Sequence, residues 1–181
     1  RAHPPRSRSA ELGAASASAR ISIGITFHSP DTSHPSLWEP AIRWLETESL
    51  PCCIHVAESP AEWQLFTKGT GPLVWHEAKM VASPLPWALR RLAVPFIYRG
   101  KPLLSRLGVP YWFTTPVTPT AYLQRVGVLD LRPLLVHMVE VTDDDLDIVA
   151  RNDAVIVHCP RSNQRLACGR MPLESFECFY I

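Results

Sequence analysis

The sequence lacks the features that mark membrane-spanning, disulfide-rich and nucleic-acid-binding proteins. No apolar run approaches the roughly 18 residues that a membrane-spanning helix needs. The formal net charge is only +1, which gives no electrostatic reason for binding nucleic acid or an anionic membrane. The five cysteines are odd in number and include no Cys-x-x-Cys. We therefore expect reduced thiols, a cytoplasmic location and no disulfide framework.

Glycine is scarce and proline abundant, with 8 and 18 residues respectively. Proline and tryptophan concentrate in residues 72–116, where ALRRLAV is the only helical pattern, and we interpret this stretch as a long insertion of the lid or binding-loop kind. Residues 1–20 are basic and small with no apolar centre, which favours an irregular or disordered segment over a signal or transit peptide. The main domain is predicted over 21–177, with a tail at 178–181.

Four short apolar runs have the length and composition of strands buried on both faces. They are ISIGITF (21–27), LPCCIHV (50–56), PLLVHMV (133–139) and DAVIVHC (153–159). In the second run, Cys52 and Cys53 fit as small core residues.

Helical patterns separate these runs. They cover 36–48, 59–69, 118–129 and 142–152. Ser59 suits an N-cap with Glu62 at the capping-box position, and Gly69 suits a stop. Thr142 suits a second N-cap, and Asn152 a left-handed C-cap. Strands alternating with helices predict an α/β fold with a parallel sheet of βαβ units.

Each predicted strand carries a histidine at or next to its carboxyl end. These residues are His28, His55, His137 and His158. Ligands bind at the carboxyl ends of parallel strands, so four converging imidazoles indicate a metal or polar-substrate site. Taken singly, each could instead be a hydrogen-bonded core histidine. The other three, His3, His34 and His76, are predicted to lie exposed in loops.

Glu58 follows His55 by three residues, so on a continuing strand the two side chains would face opposite sides. They can share a pocket only if the chain leaves the pleat after Val56, which Pro60 and the following helix start favour. A carboxylate beside a strand-end histidine suits a proton shuttle. The alternative is that Glu58 only complements the positive N-terminus of the next helix.

Three segments resemble the amidohydrolase superfamily, in its deaminase and chlorohydrolase group. CIHVAESPAEWQLFTKGTGP (53–72) is similar to the family's His-x-x-Glu strand, and the run from LLVHMV to LESF (134–176) is similar to its next two strands, with HCPRSN in the second. GITFHSPDTSHPSLWEPAIRW (24–44) resembles the preceding strand. The resemblance implies a partial (β/α)8 TIM-type barrel with about four parallel strands and flanking helices.

The resemblance also implies roles. His55 would be a metal ligand, Glu58 the general acid and base, and His137 the group that polarises the reacting centre or orients the hydroxide. His28, His158, Arg161 and Asn163 would line the pocket of a small-molecule substrate. In the family, zinc or iron activates a water that attacks a ring carbon, and ammonia or another group leaves. The implied function is metal-dependent hydrolysis of a C–N or related bond.

Two family features have no counterpart in this sequence: a His-x-His on the first strand and an Asp on the last. Only His55 of the four implied ligands is present, whereas catalytic zinc uses at least three protein ligands. We therefore expect a truncated or split, impaired enzyme that retains no metal by itself. Its missing ligands could be lost, supplied by another chain, or outside a frameshifted reading.

Two other functions, and the oligomeric state, stay open at this stage. One is a non-catalytic amidohydrolase remnant or α/β interaction module without metal. The other is an unrelated doubly wound α/β binding domain with structural histidines. A homo-oligomer is neither required nor excluded by the sequence.

Overall fold

A computed structural model describes residues 23–82, 85–89, 92, 93, 95 and 116–176. At its centre is one sheet of four parallel strands, in which each strand pairs with the next along the chain. The strands are β1 (Ile25–Phe27), β2 (Cys52–Val56), β3 (Leu134–His137) and β4 (Val155–Val157). The predicted α/β fold with about four parallel strands is confirmed. The predicted segments 1–20 and 178–181 lie outside the described residues.

Helices follow or connect the strands. They are α1 (Trp38–Glu48), α2 (Pro60–Lys68), α3 (Pro72–Val81), α4 (Pro119–Arg125), α5 (Asp143–Arg151), α6 (Pro160–Arg165) and α7 (Leu173–Phe176). Short 3-10 turns precede α1 at Pro35–Leu37 and follow α4 at Val128–Leu131. Within the described part of the chain, no helix is long and apolar enough to cross a membrane.

Helix α3 occupies the start of the stretch that the sequence marks as an insertion. Pro72 begins it, and proline is well suited to the first turn of a helix because its missing N–H would have no intrahelical partner there. His76 is therefore on a helix, not in a loop as predicted, although it is exposed. Most of the remaining insertion, including much of ALRRLAV, lies outside the described residues.

The predicted cap residues are in place except at the end of α5, although Glu62 does not complete the capping box of α2. Ser59 caps α2, Gly69 adopts a left-handed conformation after it (φ 61°), and Thr142 caps α5. The prediction of a left-handed Asn152 is wrong, because its φ is −99° and Asp153 is the left-handed residue (φ 52°). The Asn152 side chain donates to Ile148 O at 2.7 Å, which satisfies a terminal carbonyl without a left-handed Asn152.

The core lies between the central strands and the helices. Its fully buried large side chains include Ile54, Val56 and Leu135 from the sheet, Met138 directly after β3, and Phe66, Leu65, Leu123 and Leu129 from the helices and turns. Burial on both faces was predicted for all four strands, but no residue of β1 or β4 is buried. Both are edge strands of the described sheet, and only β2 and β3 have a strand on each side.

The two adjacent cysteines of β2 have different environments. Cys52 is 2% exposed, whereas Cys53 is only partly buried. Burial, with a smaller effect from Cys53, raises the pKa of the Cys52 thiol to about 12, so it packs as a neutral core residue. The four described cysteines are all free thiols.

Asp145 joins the starts of two helices. Its buried carboxylate accepts from the Thr142 backbone N–H at 2.9 Å and hydroxyl at 2.8 Å, completing the capping box of α5. It also accepts from the hydroxyl of Thr118, which caps α4. One side chain therefore stabilises both helix N-termini.

Replacing Asp145 by alanine should lower the free energy of unfolding by roughly 2–4 kcal/mol, because a capping interaction and a buried charge-assisted hydrogen bond are lost together. Urea unfolding measures this. Asp144→Ala is the matched control, since Asp144 is exposed on the same turn, and should cost under about 0.5 kcal/mol. Equal losses in the two variants would show that Asp145 does not join the helices energetically.

Candidate active site

Three histidines form a row across the carboxyl edge of the sheet. His28 follows β1, His55 is near the end of β2, and His137 ends β3. The ring centroids of His28 and His55 are 5.7 Å apart, and those of His55 and His137 are 5.3 Å apart. The parallel register brings these predicted site residues together, while His158 follows β4 at the same edge.

The orientation of His55 is fixed by one carbonyl group. His28 O accepts from the His55 backbone N–H at 3.2 Å and from its ring Nδ1 at 2.7 Å. A carbonyl can only accept, so Nδ1 carries the proton and Nε2 of the neutral ring keeps its lone pair. Metal-ligating histidines commonly donate their other nitrogen in this way. His55 therefore has the tautomer that a ligand requires.

The chain leaves the β-pleat directly after Val56, as the predicted pocket requires. Ala57 has a φ of 52°, a left-handed conformation that costs an L-residue about 1–2 kcal/mol. The turn brings Glu58 Oε1 to 3.4 Å from His137 Nε2, with the Glu58 side chain 29% exposed. The carboxylate thus lies at the strand edge where a small molecule can reach it.

His137 is held between two side chains. Its Nδ1 lies 2.7 Å from Asn163 Oδ1, and this pairing assigns the proton to Nδ1 and leaves Nε2 facing Glu58. His137 Nε2 and Glu58 Oε1 are therefore close enough to interact directly, as an ion pair when the ring is protonated.

Glu62 has a role that the sequence reasoning missed. A full capping box was predicted, and Ser59 Oγ does accept from Glu62 N at 3.3 Å. The reciprocal bond to Ser59 N is absent, because the carboxyl oxygens of Glu62 accept from Ala57 N at 3.1 Å and Glu58 N at 2.7 Å. The spacing Ser59-x-x-Glu62 predicts that the Glu62 carboxyl accepts from Ser59 N. In the structure it accepts from Ala57 N and Glu58 N instead.

Burial raises the pKa of the Glu62 carboxyl to about 8. The two backbone N–H groups oppose this rise, whereas the neighbouring carboxyls of Asp31 and Glu58 add to it. Glu62 is 4% exposed, so loss of solvation outweighs the hydrogen bonds.

Cys168 also contacts the site without any sequence signal to indicate it. Its Sγ lies 3.9 Å from Glu58 Oε1, and the residue is 5% exposed. Burial, and then the carboxylates of Glu58 and Glu62, raise the pKa of its thiol. Cys168 is therefore a neutral, weak donor to Glu58.

The remaining predicted residues lie around this group. Asn163 is 1% exposed and turned toward His137, and His28 is exposed with Nδ1 2.9 Å from Thr32 Oγ1. His158 and Asn163 border an open pocket of about 540 Å³, and Arg161 is exposed on α6. Contact of these four residues with a substrate stays a prediction.

Several known proteins similar to this chain are deaminases. It is 35% identical over 156 residues to the aminodeoxyfutalosine deaminase of Deinococcus radiodurans, an alignment covering 86% of this chain and 33% of that enzyme. It is 27% identical over 111 residues to the 5-methylthioadenosine/S-adenosylhomocysteine deaminase of Nitratidesulfovibrio vulgaris, covering 54% of this chain and 25% of the relative. The chain thus spans about a third or less of these relatives. No family model matches it.

Among solved structures, an adenosine deaminase from Xanthomonas campestris with bound zinc is similar in fold. The TM-score is 0.62 at 20% sequence identity, over 96% of this chain and 30% of that one. The predicted resemblance to the deaminases of the amidohydrolase superfamily is confirmed by these similarities. The predicted partial barrel is also confirmed, because the four parallel strands match part of a TIM-type barrel.

The described residues do not bring together a complete set of metal ligands. There, no group of three or more His, Cys, Asp or Glu side chains is placed to hold a metal ion. His55 has a suitable nitrogen, but a catalytic zinc site uses at least three protein ligands. The described residues alone therefore do not fit a complete metal centre. Whether the chain retains a metal stays a prediction.

Proposed function

We propose that this chain supplies the proton-transfer part of a hydrolytic deaminase acting on a small molecule. The observation that carries the proposal is the contact between Glu58 Oε1 and His137 Nε2 at 3.4 Å, beside His55 at the carboxyl edge of a parallel sheet. Catalytic groups in parallel barrels lie at this edge.

Glu58 is the proposed general acid and base. In a hydrolytic deamination, the attacking water loses a proton and the departing nitrogen gains one. A single carboxylate that touches both atoms in turn can carry that proton. His137 is the proposed partner that orients and polarises the reacting group, because Asn163 fixes its ring and leaves Nε2 toward the site. His55 is proposed as one ligand of a zinc or iron ion whose other ligands come from outside the described residues.

The proposed substrate is a small molecule with an amino group on an adenine-type ring. Support comes from the names of the similar proteins, which are deaminases of adenosine, of 5-methylthioadenosine and S-adenosylhomocysteine, and of aminodeoxyfutalosine. The exposed His28 ring lies beside His55, and we propose that it contacts such a ring. His158, Arg161 and Asn163 are the other proposed lining residues.

The incomplete ligand set favours a second candidate function. If the remaining ligands are not supplied elsewhere, the chain is a non-catalytic amidohydrolase remnant or an interaction module without metal. The two functions differ in whether this chain can support catalysis once the other barrel strands are present.

A chimera separates the two candidates. The 156-residue aligned part of the Deinococcus radiodurans enzyme is replaced by that of this chain, so the relative supplies the missing strands. We expect the chimera to bind zinc and release ammonia from aminodeoxyfutalosine, and His55→Ala to lose both properties because a metal ligand is removed. Zinc content and ammonia release are measured together.

His76→Ala is the matched control, since His76 is exposed on α3 away from the strand ends and its replacement should change neither readout. A folded, zinc-loaded chimera without ammonia release would contradict the deaminase proposal and favour the remnant.

A further inference from the structure

We infer that Glu62 is a positioning residue: its buried carboxyl group holds the turn at Ala57 and Glu58, and thereby places the Glu58 carboxylate against His137. The inference deepens the proposed function, because it matters for catalysis only if Glu58 carries the proton. Glu62 itself does not touch the reacting atoms in this arrangement.

The hydrogen bonds of Glu62 point to the turn and not to the helix. A glutamate at the third position of a helix normally accepts from the N–H of the capping residue, here Ser59. Glu62 instead reaches past Ser59, and its two oxygens accept separately from Ala57 N at 3.1 Å and Glu58 N at 2.7 Å. Because the side chain is 4% exposed, water does not provide a ready substitute for either bond.

The other side of the same turn is fixed to the strand end that carries His137. Val139 N and Glu140 N both donate to Ala57 O, at 2.8 and 2.9 Å, and Met138 N donates to Val56 O at 3.1 Å. The segment directly after His137 is therefore hydrogen-bonded to the carbonyl groups of residues 56 and 57. Glu62 accepts from the N–H groups of residues 57 and 58 of the same turn.

The conformation of the turn makes such support necessary. Ala57 is left-handed with a φ of 52°, which residues with a side chain rarely adopt without other interactions that favour it. Without acceptors, the buried N–H of Ala57 and the partly buried N–H of Glu58 would also lose their protein partners. The carboxyl of Glu62 satisfies both at once, which favours the turn over a continued strand.

A carboxyl group can do this in either protonation state, whereas an amide cannot. Each carboxyl oxygen keeps a lone pair after protonation, but the side-chain nitrogen of glutamine has none to accept with. Glu62→Gln therefore keeps the size of the side chain and leaves one of the two backbone N–H groups facing another donor. The nearby carboxyls of Asp31 and Glu58 and the thiol of Cys168 are unchanged by this substitution.

The test is a double-mutant cycle read by NMR on the full 181-residue chain. The ring ¹⁵N resonances of His137 are recorded at one fixed pH in the unsubstituted chain, Glu58→Gln, Glu62→Gln and the double variant. We expect Glu58→Gln to shift the His137 Nε2 resonance in the unsubstituted background and to have no further effect once Glu62 is glutamine, because the contact is already lost. Additive shifts would overturn the inference.

Ser59→Ala is the matched control. It removes the hydroxyl that accepts from Glu62 N, and so weakens the start of α2 while keeping the carboxyl group. We expect it to leave the His137 resonance in place. A shift as large as that of Glu62→Gln would assign the effect to general loosening of the helix and overturn the inference.

Hydrogen exchange covers the case in which Glu62→Gln does not fold. In the unsubstituted chain, the amides of residues 57 and 58 should exchange slowly because both are bonded to Glu62. Rapid exchange of both, at the rate of exposed loop amides, would overturn the inference without any variant.

Kinetics of the chimera distinguish the inference from the proposed function. In an active chimera, Glu62→Gln should lower kcat about 10-fold or more and leave KM unchanged, as expected for a group that acts only through Glu58. An unchanged kcat would overturn the inference. A folded, zinc-loaded but inactive chimera, together with an NMR cycle that still shows the coupling, would overturn the proposed function and support the placement of Glu58 by Glu62.

Discussion

Replacing Glu58 by glutamine is expected to lower the turnover of the chimera by about 10²–10⁴-fold, the usual contribution of general acid–base catalysis. Glutamine keeps the shape of the side chain but cannot take a proton from water and return it to the departing nitrogen. Because Glu58 is not a proposed ligand, the zinc content should not change. Steady-state kinetics and metal analysis of the same preparation measure both effects.

Glu46→Gln is the matched control, since Glu46 is an exposed glutamate of α1, the helix that precedes β2. It should leave turnover within about twofold, as surface substitutions usually have small effects. Near-normal turnover in Glu58→Gln would instead support the alternative that Glu58 only complements the positive N-terminus of α2, and a small loss of stability would then be its main effect.

The stability contribution of Glu62 is expected to fall as the pH rises. Burial raises the pKa of this carboxyl from 4.5 to about 8 in the folded state. Between these values the folded chain holds a proton that the unfolded chain has released, so stability decreases by up to about 1.4 kcal/mol for each pH unit. Below pH 4.5 both states are protonated, and above pH 8 both are ionised, so the effect is confined to this window.

Glu62→Gln removes the titrating group and isolates its contribution. Urea unfolding of both proteins at several pH values should show a falling difference in unfolding free energy, unsubstituted minus variant, across the window. A difference that does not change with pH would mean that the buried carboxyl is ionised throughout and that its two N–H partners outweigh burial.

The sheet and the histidine row could be predicted because their signals are local. Each apolar run is short and bounded by helix-start residues, and the strand ends carry His28, His55 and His137 at the positions where parallel strands converge. The sequence also predicts that the chain leaves the β-pleat after Val56, because Pro60 begins α2 only four residues later and the strand cannot continue into it.

The interactions around Glu58 could not be read from the sequence because their partners are distant or compete locally. Cys168 is 110 residues from Glu58 along the chain, and Asn163 is 26 residues from His137. Which backbone N–H groups donate to Glu62 depends on the left-handed conformation of Ala57. The spacing of a capping box does not show whether the donor is the N–H of residue 57, 58 or 59. Helix α3 was missed because the many prolines after it dominate the composition of the stretch.

The strand order of the sheet has a consequence for how the chain is made. The spatial order β1, β2, β3, β4 is also the order of synthesis, so a ribosome delivers each strand when its pairing partner is already available. Among the four described strands, none has to insert between two that have already paired. If translation paused, the strands already made could therefore form a shorter sheet whose last strand is unpaired on one side. When synthesis resumed, the next strand would pair with that side, and no earlier pairing would have to break.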